Sequence, residues 1–385
     1  MPDTETAYNL ALDYIYSFVD YSLKHSSELA RADFNLDRMR ALMRELSDPQ
    51  RRYPILHVAG TKGKGSVCAL AASALQAAGY KTGLYTSPHL LDFAERIQIN
   101  GAPLAHETFV ELVEELKPAV RRIEKLTTFE ITTALGFLAF ARAGCTAAVI
   151  EVGLGGRLDA TNVVEPCVSV ITSLSYDHMA VLGDTLAKIA GEKAGIIKPG
   201  VPVISAPQKD EALEVLLRIS KERNSPLLLI GRDIQVEPIE GSLDGQSLKV
   251  ISGGKTRRFR IPLLGAHQVT NAATAWAALQ ASGLVIPDAA LRRGFAEVKW
   301  RARFEVARRE PPLIFDSAHN DDSFARLRET LDTYFPGRPV YLIFGASEDK
   351  NVPGMLREIK PRVKRLLISR ADHPRALTPE RIAEL

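Results

Sequence analysis

The sequence contains little cysteine. Three of its 385 residues are cysteines, Cys68, Cys145 and Cys167. They are widely spaced, odd in number and follow no metal-ligand pattern, so they predict neither a disulfide framework nor a cysteine metal site. We expect them to be small core residues of a protein from a reducing compartment.

The chain also lacks a long apolar run and an excess of charge of one sign. No stretch reaches the ~20 apolar residues that a membrane helix needs, so we expect a cytoplasmic protein with no membrane partner. Lysine and arginine number 49 and aspartate and glutamate 46, which gives a net charge of +3. This balance argues against nucleic acid as the main partner.

The composition is that of a globular protein, with 46% hydrophobic and 25% charged residues. The length allows two domains, each with its own core. Helical spacing of apolar residues occurs at 8–23 and 36–49. Val/Ile-rich runs then alternate with helical segments, which predicts an α/β domain of the P-loop type with a mostly parallel sheet covered on both faces. The strand candidates are 54–59, 82–86, 147–153, 168–173 and 201–206.

From about residue 227 the pattern changes to strand-like alternation with turn dipeptides, which predicts an antiparallel ribbon. Strand and helix patterns alternate again after it. We therefore predict a larger first domain over residues 1–297 and a smaller Rossmann-like α/β domain over 298–385. The last residues, LTPERIAEL, have a helical pattern. Because a sheet ending there would need another strand, we expect the second domain to be truncated.

The segment HVAGTKGKGSV, residues 57–67, joins the first predicted strand to a helix of small residues. It departs from the strict P-loop pattern in its glycine spacing. Its glycines still allow backbone N–H groups to converge on an anion at a helix N-terminus. Lys64 can reach the β- and γ-phosphates of a nucleotide, and the Ser66 hydroxyl can face Mg²⁺. The alternative is a glycine-rich turn without a ligand, which the two lysines disfavour.

Polar residues elsewhere have two interpretations each. Glu130 lies one turn into a helix, where an acid is favoured by the helix dipole, but with His178 and a loop hydroxyl it would make a nitrogen–oxygen site for Mg²⁺ or Mn²⁺. Lys193 is either an exposed helix-end lysine or functional. Arg157 and Asp159 form either a structural salt bridge or a carboxylate-binding arm. Asp316, His319 and Asn320 follow a predicted strand of the second domain. They form either part of a ligand site at the strand's carboxyl end or an ordinary turn, since Asp and Asn are common turn residues.

Several motifs occur in order: HVAGTKGKGSV, YTSPHL, TTFEITTALGF, VIEVGLGGRLDATNVV, SYDHMAVLGDTLAKIAGEKAGIIKPG, HQVTNAATAWAAL and FDSAHN. Together they resemble the folylpolyglutamate synthase/dihydrofolate synthase family of the Mur ligase superfamily, over nearly the whole chain. The resemblance implies an ATP-dependent ligase of folate and one-carbon metabolism. The γ-phosphate of ATP would convert a substrate carboxylate into an acyl phosphate, which the amine of L-glutamate then attacks. The acceptor would be dihydropteroate or a reduced folate.

The resemblance also implies roles for individual residues. Nucleotide-binding positions would be Gly60, Thr61, Lys62, Gly63, Lys64, Gly65, Ser66, Asn271, Arg303 and Asp316. Metal-site positions would be Ser66, Ser87, Glu130, His178 and Lys193, with Lys193 carbamylated so that it can hold a second Mg²⁺. Catalytic positions would be Lys64, Lys193, Asp316 and His319. Substrate-binding positions would be Thr128, Phe129, Arg157, Asp159 and His319.

The chain departs from the family pattern at the junction of the two predicted domains. There it reads WRAR, Trp300 to Arg303, where the family usually has tryptophan–proline–glycine–arginine. Two alternatives remain: another Mur-type ligase acting on a UDP-linked cell-wall precursor, and a nucleotide-binding module without catalysis. About 50 residues precede the glycine loop, too few for a UDP-sugar domain. We expect a monomer.

Overall fold

The computed structural model describes residues 3–21 and 34–385. The strands are β1 Ile55–Ala59, β2 Thr82–Tyr85, β3 Ile97–Ile99, β4 Ala102–Pro103, β5 Ala147–Glu151, β6 Val168–Ile171, β7 Val203–Ser205, β8 Leu227–Leu229, β9 Gln235–Ser242, β10 Gly245–Ser252, β11 Lys255–Ile261, β12 Glu305–Arg309, β13 Pro312–Phe315, β14 Val340–Phe344 and β15 Val363–Ile368.

The α-helices are α1 Thr4–Tyr16, α2 Asp37–Glu45, α3 Lys64–Ala77, α4 His106–Val120, α5 Thr128–Arg142, α6 Met179–Leu182, α7 Leu186–Ala194, α8 Asp210–Glu222, α9 Ala266–Ala281, α10 Asp288–Glu297, α11 Asp321–Tyr334, α12 Val352–Ile359 and α13 Pro379–Glu384. The helix predicted over 8–23 ends at Tyr16, and residues 22 and 23 lie outside the described part of the chain.

A large sheet organises the first domain, with the strand order β4-β3-β2-β5-β1-β6-β7-β8. The six strands from β2 to β8 in this order are parallel, and β3 and β4 add an antiparallel edge. This confirms the predicted mostly parallel sheet. β1 lies inside the sheet and all five of its residues are buried, because helices cover both faces. The loop that follows β1 therefore emerges near the middle of the carboxyl edge, where ligands bind in such sheets.

Small residues allow the helices on one face to pack closely. α3 has the sequence KGSVCALAASALQA, and α10 lies against it at Gly294. A Cβ atom at Gly294 would come within 2.4 Å of Ala74 Cα, so only glycine fits at this crossing. Ser73 Oγ also donates a hydrogen bond of 2.6 Å to the Gly294 carbonyl oxygen. On the other face the core is aromatic, with Phe109, Phe137 and Phe140 buried between α4, α5 and the sheet.

The antiparallel ribbon consists of β9, β10 and β11. Its start differs from the prediction, because residues 227–229 do not join it. These residues form β8, which pairs in parallel with β7 at the edge of the large sheet. The reason is the preceding α8, which serves as the crossover that a parallel strand requires.

The second domain has an antiparallel pair, β12 and β13, and a parallel pair, β14 and β15. Its helices α11 and α12 pack on each other, and Phe304, Phe324, Phe344 and Met355 share a core that also contains Leu264. The predicted helix at 377–385 is observed as α13. The domain boundary at 297/298 stays a prediction. Across residues 3–21 and 34–385, we find no helix that combines the length and apolar character needed to span a bilayer.

Candidate active site

The glycine loop connects β1 to α3 at the carboxyl edge of the large sheet. The backbone N–H groups of Thr61 and Lys62 donate to the Ser173 carbonyl oxygen at 3.0 and 3.1 Å, which fixes the loop against the end of β6. Gly63 precedes the helix with φ +91°, and a Cβ atom there would lie 2.3 Å from Asn271 Oδ1. A Cβ atom at Gly65 would lie 2.8 Å from the Trp300 ring. The loop is therefore a compact turn at a helix N-terminus, as an anion site requires.

A buried carboxylate, Glu151, lies beside this loop. The Lys64 ammonium is 3.9 Å from Glu151 Oε1, and the Ser87 backbone N–H donates to Glu151 Oε2 at 3.2 Å. Burial raises the pKa of Glu151, while the charges of Lys64 and Arg303 lower it. Lys64, Ser87 and Glu151 therefore converge on one place, with Ser66 buried in the first turn of α3.

The structure does not bring Glu130 into this group, which corrects the sequence-based assignment of the metal carboxylate. Glu130 Oε2 accepts the Thr127 backbone N–H at 2.8 Å, and the Thr127 hydroxyl accepts the Glu130 N–H, which is a capping box for α5. Glu130 Oε1 also pairs with Arg38 Nε at 3.2 Å. The helix-dipole interpretation therefore describes Glu130, and Glu151 is the acid in contact with Ser87.

The sequence contained a signal for Glu151. It is the last residue of a Val/Ile-rich strand, and polar residues at such strand ends form ligand sites in parallel sheets. The parallel register pairs Glu151 of β5 with Val58, the second-last residue of β1. The glycine loop follows β1 directly, so Glu151 lies beside its start. That pairing depends on the strand order, which the sequence pattern does not supply.

Asp177 connects the two domains next to the loop. Its carboxylate accepts from Lys62 Nζ at 3.3 Å and from Lys350 Nζ at 3.1 Å. Lys62 Nζ also lies 2.9 Å from His319 Nε2. Burial acts to raise the pKa of Asp177, but the His319 imidazole, 3.8 Å away, and the nearby cations hold it well below its usual range. Lys350, from the second domain, was missed by sequence reasoning.

His178 follows Asp177 and has a left-handed backbone conformation, with φ 49°. Burial lowers its pKa to about 4, and the positive charges of Lys350 and Lys193 act in the same direction, while Asp177 opposes them. His178 is therefore a neutral imidazole at pH 7, the form that binds metal ions.

Lys193 is buried in the last turn of α7, so the exposed-lysine interpretation is wrong for it. Its Nζ donates to the Gly60 carbonyl oxygen at 2.9 Å, which places it directly behind the glycine loop. Burial lowers the pKa of Lys193 to about 7, and the charge of Lys64 contributes. An amine with this pKa is partly unprotonated at neutral pH.

The substrate candidates of the 157–159 segment make contacts within the protein. Arg157 Nη2 pairs with Glu192 Oε1 at 2.8 Å, so Arg157 forms a structural salt bridge, with Glu192 and not with Asp159. Asp159 is buried and accepts the backbone N–H groups of Leu154 at 2.8 Å and Thr161 at 3.0 Å. Burial raises its pKa. In this conformation both residues shape the loop after β5.

Thr128 and Phe129 begin α5. The Thr128 hydroxyl donates to the Ile15 carbonyl oxygen at 3.1 Å, which ties α5 to the end of α1. The Phe129 ring lies against Gly153, where a Cβ atom would come within 2.4 Å of it. Phe129 thus stands beside the loop that follows Glu151.

Arg303 and Asp316 approach from the domain junction. Arg303 Nη1 donates to the Ser317 hydroxyl, and its guanidinium lies 5.9 Å from the centre of the Trp300 ring. Asp316 accepts the Phe304 backbone N–H at 2.8 Å and the Ala318 N–H at 2.7 Å. Burial raises the pKa of Asp316. The arginine of the WRAR segment, Arg303, therefore lies next to the candidate active site, although the segment lacks the proline and glycine of the family pattern.

The donor set suits Mg²⁺ only together with substrate oxygens. Among residues 3–21 and 34–385, no three His, Cys, Asp or Glu side chains form a group able to hold a metal ion. Mg²⁺ commonly takes one or two protein carboxylates and completes its shell with phosphates and waters. Glu151 fits that requirement, since it lies beside Lys64 of the anion loop and accepts the Ser87 backbone N–H.

Comparison with known families identifies the class of protein. Residues 58–279 match the Mur ligase middle domain, and residues 302–385 match the Mur ligase glutamate ligase domain. These ranges cover both domains of the fold and most of the chain. The chain belongs to the Mur ligase family, within the group of folylpolyglutamate and dihydrofolate synthases that the following similarities define.

The dihydrofolate synthase/folylpolyglutamate synthase of Bacillus subtilis (strain 168) is 37% identical over 382 residues, which are 96% of this chain and 87% of the relative. The structure of Mycobacterium tuberculosis folylpolyglutamate synthase complexed with ADP superposes with a TM-score of 0.91 at 34% identity, covering 99% of this chain and 86% of that one. An FPGS–AMPPCP–folate complex gives a TM-score of 0.87 at 30% identity, over 98% and 92% of the chains.

Proposed function

We propose that the protein is an ATP-dependent ligase that joins L-glutamate to the carboxylate of a reduced folate, and that it also accepts dihydropteroate. The relatives carry the names of both activities. Similar structures contain ADP in one case and AMPPCP with folate in another. In this chain the acceptor carboxylate, the γ-phosphate and the amine of glutamate would meet between the two domains.

The observation that supports this best is the convergence of Lys64, Arg303 and Glu151 beside the glycine loop. A carboxylate attacking a phosphate brings two anions together, and the reaction needs cations to offset their repulsion. Lys64 comes from the nucleotide loop and Arg303 from the junction with the second domain. Closure of the domains would then assemble the charges around the transferring phosphoryl group.

The second reaction step needs a neutral glutamate amine held near the acyl carbon. We assign Asp316 and His319 to this end of the site, because both follow β13 at the domain junction. His319 is within hydrogen-bond distance of Lys62. A carboxylate and an imidazole at this position suit orientation of an ammonium group and acceptance of its proton.

Mg²⁺ would be held by Glu151 and the Ser87 hydroxyl, with Ser66 and His178 as further ligands. When bound, it would neutralise charge on the phosphates.

We further propose that Lys193 is carbamylated. Carbamylation requires an unprotonated amine, and burial provides it, since the pKa of Lys193 is lowered to about 7. The resulting anion lies behind the glycine loop, where it would offset the excess of lysine charge. Asn271 would contact the nucleotide from α9, which faces Gly63.

ADP release that requires both acceptor and glutamate tests the function. The purified protein should release ADP with tetrahydrofolate and L-glutamate together, and with neither alone. Dihydropteroate should be tested separately as the acceptor. Turnover with tetrahydrofolate but not with dihydropteroate would contradict the proposed dihydrofolate synthase activity. Dependence on a UDP-linked cell-wall precursor, or an absence of ADP release with every acceptor, would contradict the proposal. A cytoplasmic location and a monomeric state also stay predictions.

A further inference from the structure

A basic cleft lies at the end of the large sheet opposite the glycine loop. Its volume is about 790 Å³, and its walls come from α2, the segment before β1, residues 162–165 and residues 198–201. These segments precede β1, β6 and β7, so the cleft is at the amino ends of the strands. With five residues in β1, this places it roughly 16 Å from the nucleotide loop. It is therefore a separate site, of a size that suits a small ligand.

The charges of this cleft are unbalanced. Its lining contains four cationic side chains, Arg40, Arg44, Arg51 and Lys198, and two acids, Asp48 and Glu165. Arg51 pairs with Glu165 at 3.5 Å and Arg40 with Asp37 at 3.2 Å, so the excess positive charge among the described residues lies on Arg44 and Lys198. Arg44 donates only to the Arg40 carbonyl oxygen, at 3.4 Å, and forms no ion pair within the described residues. Lys198 Nζ likewise donates to a carbonyl oxygen, that of Asn162, at 2.9 Å. Burial lowers the pKa of Lys198 to about 8, and the positive charges of Arg40 and Arg223 lower it further. A bound anion would relieve this repulsion.

Two amide oxygens in the cleft wall also have no hydrogen-bond partner among the described residues. Asn162 Nδ2 donates to the carbonyl oxygens of Arg157 and Gly195, so its Oδ1 is oriented away from them and accepts no hydrogen bond. Gln50 Nε2 donates to Asp48, and its Oε1 is equally unpaired. Both oxygens are covered from solvent, so a small movement of the wall would be needed to reach them. Unpaired buried acceptors are costly, and an N–H donor on a ligand would satisfy them.

We propose that this basic cleft binds the oligo-γ-glutamyl chain of a folate. Each γ-linked glutamate carries one carboxylate for the cationic side chains and one amide N–H for the unpaired oxygens. This inference rests on the proposed function, which produces such chains. A second depression, of about 410 Å³, shares Arg40, Asn162 and Lys198 with the cleft and extends to Arg157. It extends the cleft to the loop after β5, the side from which a chain growing at the active site would approach.

Titration of a tri-γ-glutamate peptide without a pteroyl group tests the inference. The full chain is first saturated with ADP and Mg²⁺, so that the peptide cannot occupy the glycine loop. We expect wild-type binding that weakens with added salt, because the cations are partly exposed. Arg44→Gln with Lys198→Gln should raise the Kd about 10-fold. Arg44→Gln alone, at an exposed residue where unfolding is not expected, should raise it about 3-fold.

Arg258→Gln is the matched control, since Arg258 is exposed on β11 in the antiparallel ribbon. It should leave the peptide affinity unchanged. In the ligase assay the double variant should raise the KM for a triglutamyl folate while the KM for the monoglutamate stays the same. Equal peptide affinity in wild type and double variant would overturn the inference. Because the titration needs no turnover, a failure of the proposed ligase activity would be recognised separately.

Discussion

Lys64 Nζ and Glu151 Oε1 lie 3.9 Å apart between the start of α3 and the end of β5. The pair is mostly buried, with 18% of the lysine side chain and 6% of the glutamate side chain exposed. Without phosphates the carboxylate provides the counter-charge for the lysine of the loop. When a triphosphate occupies the loop, Lys64 has a stronger partner, and Glu151 becomes available to a cation. On the proposed function, the two residues would therefore link nucleotide binding to metal binding.

Replacement of Glu151 and Glu130 by glutamine distinguishes the two carboxylates. Glu151→Gln should lower kcat by about 10²-fold or more, because a charged group at the phosphoryl-transfer site is lost. Glu130→Gln keeps the capping box and loses only the ion pair with Arg38, so kcat should fall by less than about 3-fold, with a stability loss of about 1 kcal/mol. Steady-state kinetics and urea unfolding measure both. A larger kcat effect at Glu130 would restore the original assignment.

The sequence predicted the parallel sheet, the ribbon, the glycine loop and the second α/β domain, because these depend on local periodicity and turn residues. It could not identify Glu151 as the partner of Ser87. Both Glu130 and Glu151 are acids next to apolar segments, and only the placement of β5 beside β1 decides between them. Lys350 was missed for a related reason, since its contact with Asp177 depends on how the domains pack.

Gly63→Ala should weaken ADP binding by about 10-fold or more, since a displaced loop backbone no longer matches the phosphates. The left-handed conformation disfavours a side chain, and the new Cβ atom would lie 2.3 Å from Asn271 Oδ1. Gly79→Ala is the control: its φ is +92°, and a Cβ atom there meets no atom within 4 Å. Gly79→Ala should cost about 1–2 kcal/mol of stability and leave ADP affinity intact. Equal ADP affinity in both variants would contradict the assigned loop.

Lys193→Ala should lower kcat by about 10²-fold or more while the Kd for ADP changes far less, because the proposed carbamate would hold a second Mg²⁺ that neutralises charge on the transferring phosphate. Lys188→Ala is the matched control on the same helix, at an exposed lysine paired with Asp184. After incubation with ¹³C-bicarbonate, NMR should show a carbamate signal in wild type and in Lys188→Ala, and none in Lys193→Ala. Unchanged turnover of Lys193→Ala would exclude the carbamate role.

Buried His57 should make the protein sensitive to mild acid. Its side chain is fully buried in β1, with Nε2 2.9 Å from the Thr161 hydroxyl, and burial lowers its pKa to about 3 from an ordinary value of 6.5. Because the pKa of His57 is lower in the folded protein than in the unfolded chain, below pH 6.5 the unfolded chain binds a proton at this residue and the native protein does not. The stability contribution of the neutral ring is therefore fully present above pH 6.5 and is lost as the pH falls from 6.5 towards 3.

This residue should contribute a slope of up to about 1.4 kcal/mol per pH unit to the free energy of unfolding. Urea unfolding between pH 6.5 and 5, above the range in which ordinary carboxylates titrate, measures it. His57→Gln keeps a polar side chain that can bond to Thr161, and it should reduce the slope by this amount even if it lowers stability throughout. Above pH 7.5 the two proteins should show the same pH dependence. An unchanged slope between pH 6.5 and 5 in the variant would mean that His57 is protonated in the folded protein.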